Sequence, residues 1–375
     1  MPCCVRRPLR LFPHARALRN TKIRHLSTPR APGEPIDPLH YAELERINRS
    51  RRQGVLIWAG GATAAAAYLF FWPDEPKAAP TKTNAPLSPS YFTPATISAS
   101  ETTGPNSKLI QLTFPPHLLK SSADDSFEFR PIWSIYVKDD AIQVERAYTP
   151  LKGIDQDGRM EFWIKRYPDG EVGRWLHSKN VGDPIEIRGP VPTWSWKENE
   201  WDEVVMISGG TGITPFYQLL HHVFTKEPSE SSPKTRFTLL HSSRAPDQLP
   251  PSTMLETLKN YSRSQKDRFS LRLFVDSRQS ESGSSHIDLF LTEGRIGKAE
   301  IQHALDPKTS SGWGKLFGSK PSEPEKTEKK VMFLVCGPDQ MISAVAGPMG
   351  RNLRQGDVGG ILGEMGYKPE QVWKF

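Results

Sequence analysis

Short hydrophobic runs, some of them alternating with polar residues, occupy the chain from residue 108 to residue 190. Five runs rich in Ile, Val, Tyr and Trp are separated by turn residues: SKLIQLTF, FRPIWSIYVKD, AIQVERAYTPL, RMEFWIKRY and DPIEIRGP. Runs of this length and spacing are typical of β-strands that follow one another closely. The pattern predicts a small antiparallel β-barrel, assigned to residues 95–198.

The pattern changes beyond residue 199, where apolar runs alternate with helical ones. Buried strands are predicted for DEVVMISGG, TRFTLLHSS, FSLRLFVDSRQ and KVMFLVCGP, with helices for TPFYQLLHHVF, PPSTMLETLKNY and GKAEIQHAL between them. This alternation predicts an α/β domain with a parallel sheet over 199–375. Ligands of such sheets bind beyond the carboxyl ends of the strands, and both SGGTGITP and CGPDQM follow such ends.

A polar stretch at 306–330 interrupts the last connection from helix to strand. It is longer than such connections usually are. The stretch is predicted to be a flexible surface insertion, and the alternative is a loop that docks a partner.

One apolar run near the N-terminus is of a different kind. GVLIWAGGATAAAAYLFFW, residues 54–72, contains 19 residues without a charge, and at about 1.5 Å per residue it nearly spans a hydrocarbon core of about 30 Å. The preceding segment, 27–53, contains several arginines, and acidic residues follow the run. We therefore predict a transmembrane helix, with 27–53 on the side from which the chain inserts, the mitochondrial matrix. The alternative is a buried core helix. Residues 73–94, rich in Pro, Ala, Thr and Ser, are predicted to form an extended tether.

Charge is concentrated at the N-terminus. The formal net charge is +7, but residues 1–33 hold eight Lys and Arg and no acid, and removing these eight from 49 leaves 41 basic against 42 acidic residues. The remainder is nearly neutral, which argues against nucleic-acid binding. An acid-free, Arg-rich leader predicts a mitochondrial transit peptide over residues 1–26, with cleavage after Leu26 in the segment RHLST. The alternative is a basic arm that is not removed. Together with the predicted span, the transit peptide predicts an inner-membrane protein whose residues 73–375 face the intermembrane space.

Two segments of the first domain carry candidate binding chemistry. Arg146-Ala147-Tyr148-Thr149 offers a cation, a phenol and a hydroxyl at a strand end, which suits an anionic ligand with a flat aromatic part. The segment DGEVG, residues 169–173, opens a short helix whose free N–H groups favour an anion such as a pyrophosphate. Taken alone, each has a simpler explanation, a solvated strand end and an ordinary glycine turn.

GGTGITP, residues 209–215, is neither the dinucleotide fingerprint G-x-G-x-x-G nor a P-loop. It occurs in series with four other segments, RAYTP, DGEVGRWL, GDPIEIRGP and CGPDQM, in the order and approximate spacing of ferredoxin-reductase-type flavoproteins. Over roughly residues 105–375 the chain resembles NADH-cytochrome b5 reductases. The resemblance implies an antiparallel FAD barrel followed by an α/β nucleotide domain. It also implies hydride transfer from NADH or NADPH to FAD, with release of single electrons.

The resemblance also assigns residues. FAD contacts are implied at Arg146, Ala147, Tyr148, Thr149, Gly170, Glu171, Val172, Gly173 and Thr214. Contacts with the nicotinamide nucleotide are implied at Gly209, Gly210, Thr211, Gly212, Arg244, Ser277, Arg278, Cys336, Gly337, Pro338 and Met341. Thr149 and Cys336 are the residues expected beside the reacting rings, and no metal site is predicted.

Two positions depart from the family pattern. Gly173 stands where the family usually has Ser or Thr, so one hydroxyl bond to FAD is expected to be missing. Ser277-Arg278 stands where NADH-selective members tend to carry an acidic residue before the arginine. Two cations, Arg244 and Arg278, without that acid favour a 2′-phosphate, so NADPH use is open. The alternative is that both arginines pair with surface carboxylates such as Asp247 or Glu281.

The layout narrows the resemblance. The chain continues for 34 residues beyond Met341 through DVGGILGEMGYKPEQVWKF. With the predicted leader and span, this resembles the fungal mitochondrial cytochrome c import factors, which implies a redox role in cytochrome c assembly. The implied partner is a haem protein: cytochrome c, its assembly machinery, or a cytochrome b5-like protein. The alternatives are a general cytochrome b5 or quinone reductase, and a scaffold that keeps the flavin fold without catalysis.

Overall fold

A computed structural model describes residues 45–46, 49–50, 53–54, 79–115, 131–139, 143–225, 235–277, 290–306, 329–351 and 354–375. The chain divides into two units, Met1–Glu75 and Pro76–Phe375. In the first unit the described residues are helical. The predicted leader and, except for Gly54, the predicted span lie outside the described residues. Within the residues that are described, no helix combines the length and the apolar character that crossing a membrane requires.

The second unit begins with a six-stranded antiparallel sheet. Its strands are β1 (Thr93–Gly104), β2 (Ser107–Thr113), β3 (Trp133–Lys138), β4 (Glu145–Tyr148), β5 (Arg159–Lys165) and β6 (Pro184–Pro192). Their order is β4-β3-β6-β1-β2-β5, and every neighbouring pair is antiparallel. The predicted antiparallel structure is confirmed, with β1 as an additional strand. Closure into a barrel is not observed, because β4 and β5 are the two ends of the sheet in the described part of the chain.

One face of this sheet is an apolar core. Ile97, Ile135 and Phe162, from three different strands, are at most 1% exposed. Helix α1 (Glu171–Ser178) covers this core with the buried side chains of Val172 and Leu176. Sheet and helix together form the antiparallel lobe, residues 79–196.

The segment before β1 belongs to this lobe, in contrast to the tether predicted over 73–94. Thr81 forms a β-bridge with Phe92, whose side chain is fully buried. The guanidinium of Arg188 lies 5.6 Å from the centre of the Phe92 ring. Burial of this one aromatic ring outweighs the Pro-rich and Ser-rich composition around it. Residues 73–78 lie outside the described residues.

A six-stranded parallel sheet forms the rest of the unit, the parallel lobe (residues 201–375). Its strands are β7 (Glu203–Gly209), β8 (Arg236–Ser243), β9 (Phe269–Val275), β10 (Leu291–Glu293), β11 (Val331–Cys336) and β12 (Val372–Lys374). Its helices are α2 (Thr214–Thr225), α3 (Ser252–Ser264), α4 (Lys298–Leu305), α5 (Asp339–Ala346) and α6 (Gly360–Glu364). The strand order is β10-β9-β8-β7-β11-β12, all parallel.

The predicted α/β architecture is therefore confirmed, and the structure adds four elements to it. Strands β10 and β12, of three residues each, extend the sheet at its two edges, and the short helices α5 and α6 pack against each other. Elements this short show no hydrophobic period of their own. Of the predicted insertion, 306–330, residues 307–328 lie outside the described residues.

One apolar core joins the two lobes. The Trp196 ring of the antiparallel lobe lies 5.3 Å from the Phe237 ring of the parallel lobe. Gln218 of α2, only 3% exposed, accepts a hydrogen bond from Trp133 N–H at 2.9 Å. Its amide donates to the carbonyls of Trp133 at 3.2 Å and Pro150 at 3.0 Å. A saturated buried amide thus fixes α2 to the antiparallel sheet.

Candidate active site

A cavity of about 840 Å³ lies between the lobes, at the carboxyl ends of β7 and β11. Most of the residues predicted to form the site line it: Arg146, Ala147, Tyr148, Thr149, Gly170, Glu171, Val172, Gly173, Gly209, Thr211, Gly212, Thr214, Cys336, Gly337 and Pro338. The structure therefore brings four of the five sequence segments to one place. The fifth, GDPIEIRGP, lies in β6 within the sheet.

The end of β4 forms one wall. Burial raises the pKa of Tyr148 to about 12, although the charge of Arg146 opposes this shift. The phenol therefore stays neutral and presents a flat, half-buried ring. Thr149 Oγ1 lies 2.9 Å from Ser134 Oγ, a hydrogen bond that fixes the hydroxyl on the neighbouring strand. Arg146 is exposed and lines the cavity, and its Nη1 donates to the Glu145 carbonyl at 2.8 Å.

The amino end of α1 forms a second wall. Gly170 precedes the helix without a side-chain capping bond, so the first-turn N–H groups have no partner within the helix and can bind an anion. A Cβ placed on the buried Gly173 would lie 3.2 Å from the Lys165 carbonyl. The glycine that departs from the family pattern thus lets α1 approach β5 closely.

A third wall is the loop between β7 and α2. The strand ends at Gly209, a 3-10 turn spans Gly210–Ile213, and α2 begins at Thr214. Gly210 has a φ of +55°, a left-handed conformation that only glycine adopts readily. A Cβ on Gly212 would lie 2.3 Å from the Cys336 carbonyl oxygen. The turn therefore rests directly on the backbone at the end of β11.

Met341 lies behind this loop and does not line the cavity. A Cβ on Gly209 would lie 2.7 Å from Met341 Sδ, and one on Gly337 would lie 2.6 Å from Met341 Cε. Burial raises the pKa of the Cys336 thiol to about 12. The side chain therefore remains a neutral thiol on the cavity wall, where it contributes volume and no charge.

Two of the three residues predicted to recognise the phosphate, Arg244 and Ser277, lie together and do not line the cavity. Ser277 N–H donates to the Arg244 carbonyl at 3.4 Å, which joins the segments that follow β8 and β9. Arg244 is exposed, and within the described residues no carboxylate lies within 4.0 Å of it. The pairing of Arg244 with Asp247 is accordingly not observed. Arg278 lies outside the described residues.

Several cavity residues were not predicted from the sequence. Lys165 Nζ donates to Gln248 Oε1 at 3.0 Å. Burial lowers the pKa of this lysine, the Arg244 charge lowers it further, and Asp247 opposes both. Trp373 lies in β12, a strand of three residues, and Phe375 directly follows that strand. Of these residues only Lys165 lies in a run whose sequence pattern predicts a strand. That pattern does not show towards which face of the sheet the Lys165 side chain points.

Beneath the loop lies a buried histidine that the sequence did not single out. His241 Nδ1 is 2.9 Å from Ser208 Oγ, and its Nε2 is 3.2 Å from Ser243 Oγ. Burial lowers the pKa of His241 to about 3. The imidazole is therefore neutral and holds the end of β7, one residue before Gly209, against β8.

Comparison with known proteins separates the chain into two matched regions. Residues 124–196 match the oxidoreductase FAD-binding domain, and residues 206–347 match the oxidoreductase NAD-binding domain. The expectation of FAD and a nicotinamide nucleotide as cofactors is thereby confirmed.

Curated relatives match the same part of the chain. NADH-cytochrome b5 reductase 2 of Meyerozyma guilliermondii is 32% identical over 233 residues, which are 62% of this chain and 68% of that protein. The protein of the same name in Mycosarcoma maydis is 31% identical over 240 residues, 64% of this chain. The match spans 59% of that relative, less than two thirds of its length.

Solved structures show the same fold. The cytochrome b5 reductase domain of Ulva prolifera nitrate reductase matches with a TM-score of 0.53 at 19% identity, over 78% of this chain and 100% of that one. The CS-b5R domains of human Ncb5or match with a TM-score of 0.52 at 17% identity, over 76% of this chain and 69% of that one. At these identities the likeness concerns the arrangement of the two lobes.

Proposed function

Because this chain belongs to the NADH-cytochrome b5 reductase family, we propose that it passes electrons from NADH or NADPH through FAD to a haem protein. Both domains of an FAD-dependent and nicotinamide-nucleotide-dependent oxidoreductase are present. The haem acceptor is part of the proposal, and it follows the names of the relatives.

One observation carries the proposal. One cavity between the lobes is lined both by the β4 and α1 residues suited to a flavin nucleotide and by the glycine loops suited to a second nucleotide. Residues suited to two planar ligands in one cavity would bring those ligands close together. Positioning of this kind is the protein's main contribution when cofactors carry the chemistry.

The antiparallel lobe fits FAD. The Arg146 guanidinium is suited to a phosphate, and the first-turn N–H groups of α1 are suited to the pyrophosphate. The neutral Tyr148 ring suits the flat ring system, and Ser134 holds the Thr149 hydroxyl at 2.9 Å for a hydrogen bond to it. FAD held by these residues would supply the chemistry of accepting a hydride and releasing single electrons.

The parallel lobe fits the nicotinamide nucleotide. Gly209, Gly212 and Gly337 line the cavity, and because they lack side chains the loop packs directly against the end of β11 and against Met341 behind it. The neutral Cys336 thiol adds no charge beside the reacting rings. Arg244, exposed and without a carboxylate partner among the described residues, is suited to the 2′-phosphate of NADPH.

We expect the full chain, loaded with FAD, to be reduced by NADPH at least as fast as by NADH. The physical reason is that the exposed Arg244 lies beside Ser277, and within the described residues no carboxylate lies within 4.0 Å of Arg244 to compete with a 2′-phosphate. Stopped-flow absorbance of the bound flavin with each nucleotide measures both rates. A protein that takes up no FAD, or is reduced by neither nucleotide, contradicts the proposed function.

The role of Arg244 is tested separately. Arg244→Ala is expected to lose about tenfold in the NADPH rate alone, about 1.4 kcal/mol. Arg263→Ala removes an exposed cation from α3 in the same lobe and serves as the control, with both rates unchanged. A tenfold preference for NADH that Arg244→Ala leaves unaltered shows that Arg244 does not recognise the ribose phosphate.

We further propose that the enzyme is anchored in the mitochondrial inner membrane, acts in the intermembrane space and serves cytochrome c maturation. The charge-free run 54–72, the acid-free leader and the arginines between them support this location. Protease added to mitochondria with a ruptured outer membrane is expected to digest residues 79–375. Protection until the inner membrane is lysed contradicts the orientation. Faster electron transfer to cytochrome b5 than to cytochrome c or its assembly machinery favours the general reductase instead.

A further inference from the structure

Two adjoining hollows lie on the antiparallel lobe beside the cofactor cavity, with volumes of about 480 Å³ and about 290 Å³. Arg166 and His177 line both hollows, Arg174 lines the larger, and Lys108 lines the smaller. Asn106 completes the polar lining. We call these five residues the basic pocket, because four of them are cations or can become cationic.

The fold brings these residues together from three elements. In the pairing of β2 with β5, Lys108 lies opposite Ile164, so it stands close to Arg166, which directly follows β5. Arg174 and His177 are three residues apart on α1 and therefore share one face of the helix. The register of β2 with β5 thus brings Lys108 and Arg166 together, and the helical period of α1 brings Arg174 and His177 together.

Neutral acceptors hold the cations in place. Arg166 Nη2 donates to Asn106 Oδ1 at 3.1 Å. Lys108 Nζ donates to the His177 carbonyl at 3.0 Å, and His177 Nε2 lies 3.1 Å from the Ile164 carbonyl. Each of these bonds fixes a position without supplying a negative charge.

The charges of the pocket are not compensated within the described chain. No carboxylate of the described residues lies within 4.0 Å of Lys108, Arg166 or Arg174. Burial lowers the pKa of His177, its bond to Ile164 opposes this shift, and the charges of Lys108 and Arg166 lower the pKa further. The imidazole thus experiences the excess positive charge of its neighbours. Like charges held together are a cost that a bound anion removes.

We propose that the basic pocket binds a phosphate-type oxyanion, either free or as the headgroup of a phospholipid. Guanidinium groups donate in a planar fork that matches phosphate oxygens, and the pocket contains two of them. The lysine adds a third donor that approaches from β2. The site is distinct from the proposed pyrophosphate cradle, because Gly170 and Gly173 line the cofactor cavity and not the basic pocket. Tyr167 is the shared wall between the two.

The test uses the full chain loaded with FAD and follows His177 by histidine side-chain NMR, with the signal assigned by its absence in His177→Gln. Inorganic phosphate is titrated at constant ionic strength against chloride, since exposed charges are sensitive to screening. We expect the pKa of His177 to rise with phosphate and to reach saturation. Arg166→Gln and Arg174→Gln are each expected to weaken the apparent Kd at least about tenfold, the effect of losing one charge-assisted contact.

Arg159→Gln is the matched control, because it removes one exposed cation from the start of β5, where Arg159 pairs with Asp157 at 3.2 Å. It is expected to leave the phosphate response unchanged. Short-chain phosphatidic acid, used below its micelle concentration, distinguishes free phosphate from a lipid headgroup. If the His177 response saturates at a lower concentration of this lipid than of phosphate, the ligand is a headgroup. Short-chain phosphatidylcholine is the zwitterionic control. A response that does not saturate with either probe, or is equal in Arg166→Gln and Arg159→Gln, overturns the proposal.

Discussion

Replacing Gly212 with alanine is expected to slow the reduction of bound flavin by either nucleotide at least about 100-fold, because displacements near 1 Å can cost that much in a positioned reaction. The new Cβ would lie 2.3 Å from the Cys336 oxygen, 2.6 Å from its carbonyl carbon and 2.8 Å from Gly337 nitrogen. These are all backbone atoms, so either the turn or the end of β11 has to move. Overpacking of this kind also destabilises a protein by about 1–3 kcal/mol.

Stopped-flow absorbance gives the rate, and urea unfolding gives the stability. Gly153→Ala is the matched control, since a Cβ there meets no atom within 4 Å and the residue has no positive φ. It is expected to leave both measurements unchanged. A Gly212→Ala protein that keeps its reduction rate within about threefold, below about 0.7 kcal/mol in barrier, shows that the turn and β11 adapt without disturbing the cavity.

Replacing Arg236 with methionine is expected to reduce the free energy of unfolding by about 3–5 kcal/mol, the usual cost of leaving a buried charge without its partner. The side chain of Glu203 is 3% exposed and is ion-paired with Arg236, whose Nε donates to the carboxylate at 2.6 Å. The same guanidinium donates to the carbonyls of Ala304 and Leu305 at the end of α4. One side chain therefore joins the first residues of β7 and β8 to a helix terminus.

Urea unfolding of the FAD-loaded protein measures this loss. Adding Glu203→Gln to Arg236→Met is expected to restore part of the stability, because it removes the stranded charge. Lys197→Met is the control: it breaks an exposed pair with Glu200 at 3.9 Å, and such pairs contribute about 0–1 kcal/mol. If Arg236→Met costs no more than Lys197→Met, Lys329, at 4.0 Å from Glu203, is sufficient to compensate the carboxylate.

Sequence reasoning located most of the candidate site because its parts are determined locally. Gly210 needs its left-handed φ and Gly212 its missing side chain, and both requirements appear in the sequence as glycines at fixed offsets. Arg146 and Tyr148 lie on one short strand next to a proline, so their proximity also follows from the chain itself. These features depend on a few consecutive residues.

The remaining wall was not predictable, because it depends on contacts between distant parts of the chain. Phe375 reaches the cavity only because Lys374 pairs with Val335 in the register of β12 with β11. Three residues carry too little pattern to predict a strand. Strand β1 was missed for a different reason: beyond Ile97 none of its residues is buried, and most of them, such as Ser98 and Glu101, are polar, so apolar residues do not recur at every second position.

The amide of Gln218 has a consequence for attempts to exchange lobes between relatives. Its three hydrogen bonds to Trp133 and Pro150 are made by a helix whose first residue, Thr214, faces the cavity. In a hybrid that takes its parallel lobe from another family member, α2 would therefore be positioned for the antiparallel lobe of that member and not for the one it meets. Such a hybrid has to take α2 and the backbone of Trp133 and Pro150 from the same protein. The boundary between the two parent sequences should therefore be chosen around these residues and not at the linker between β6 and β7.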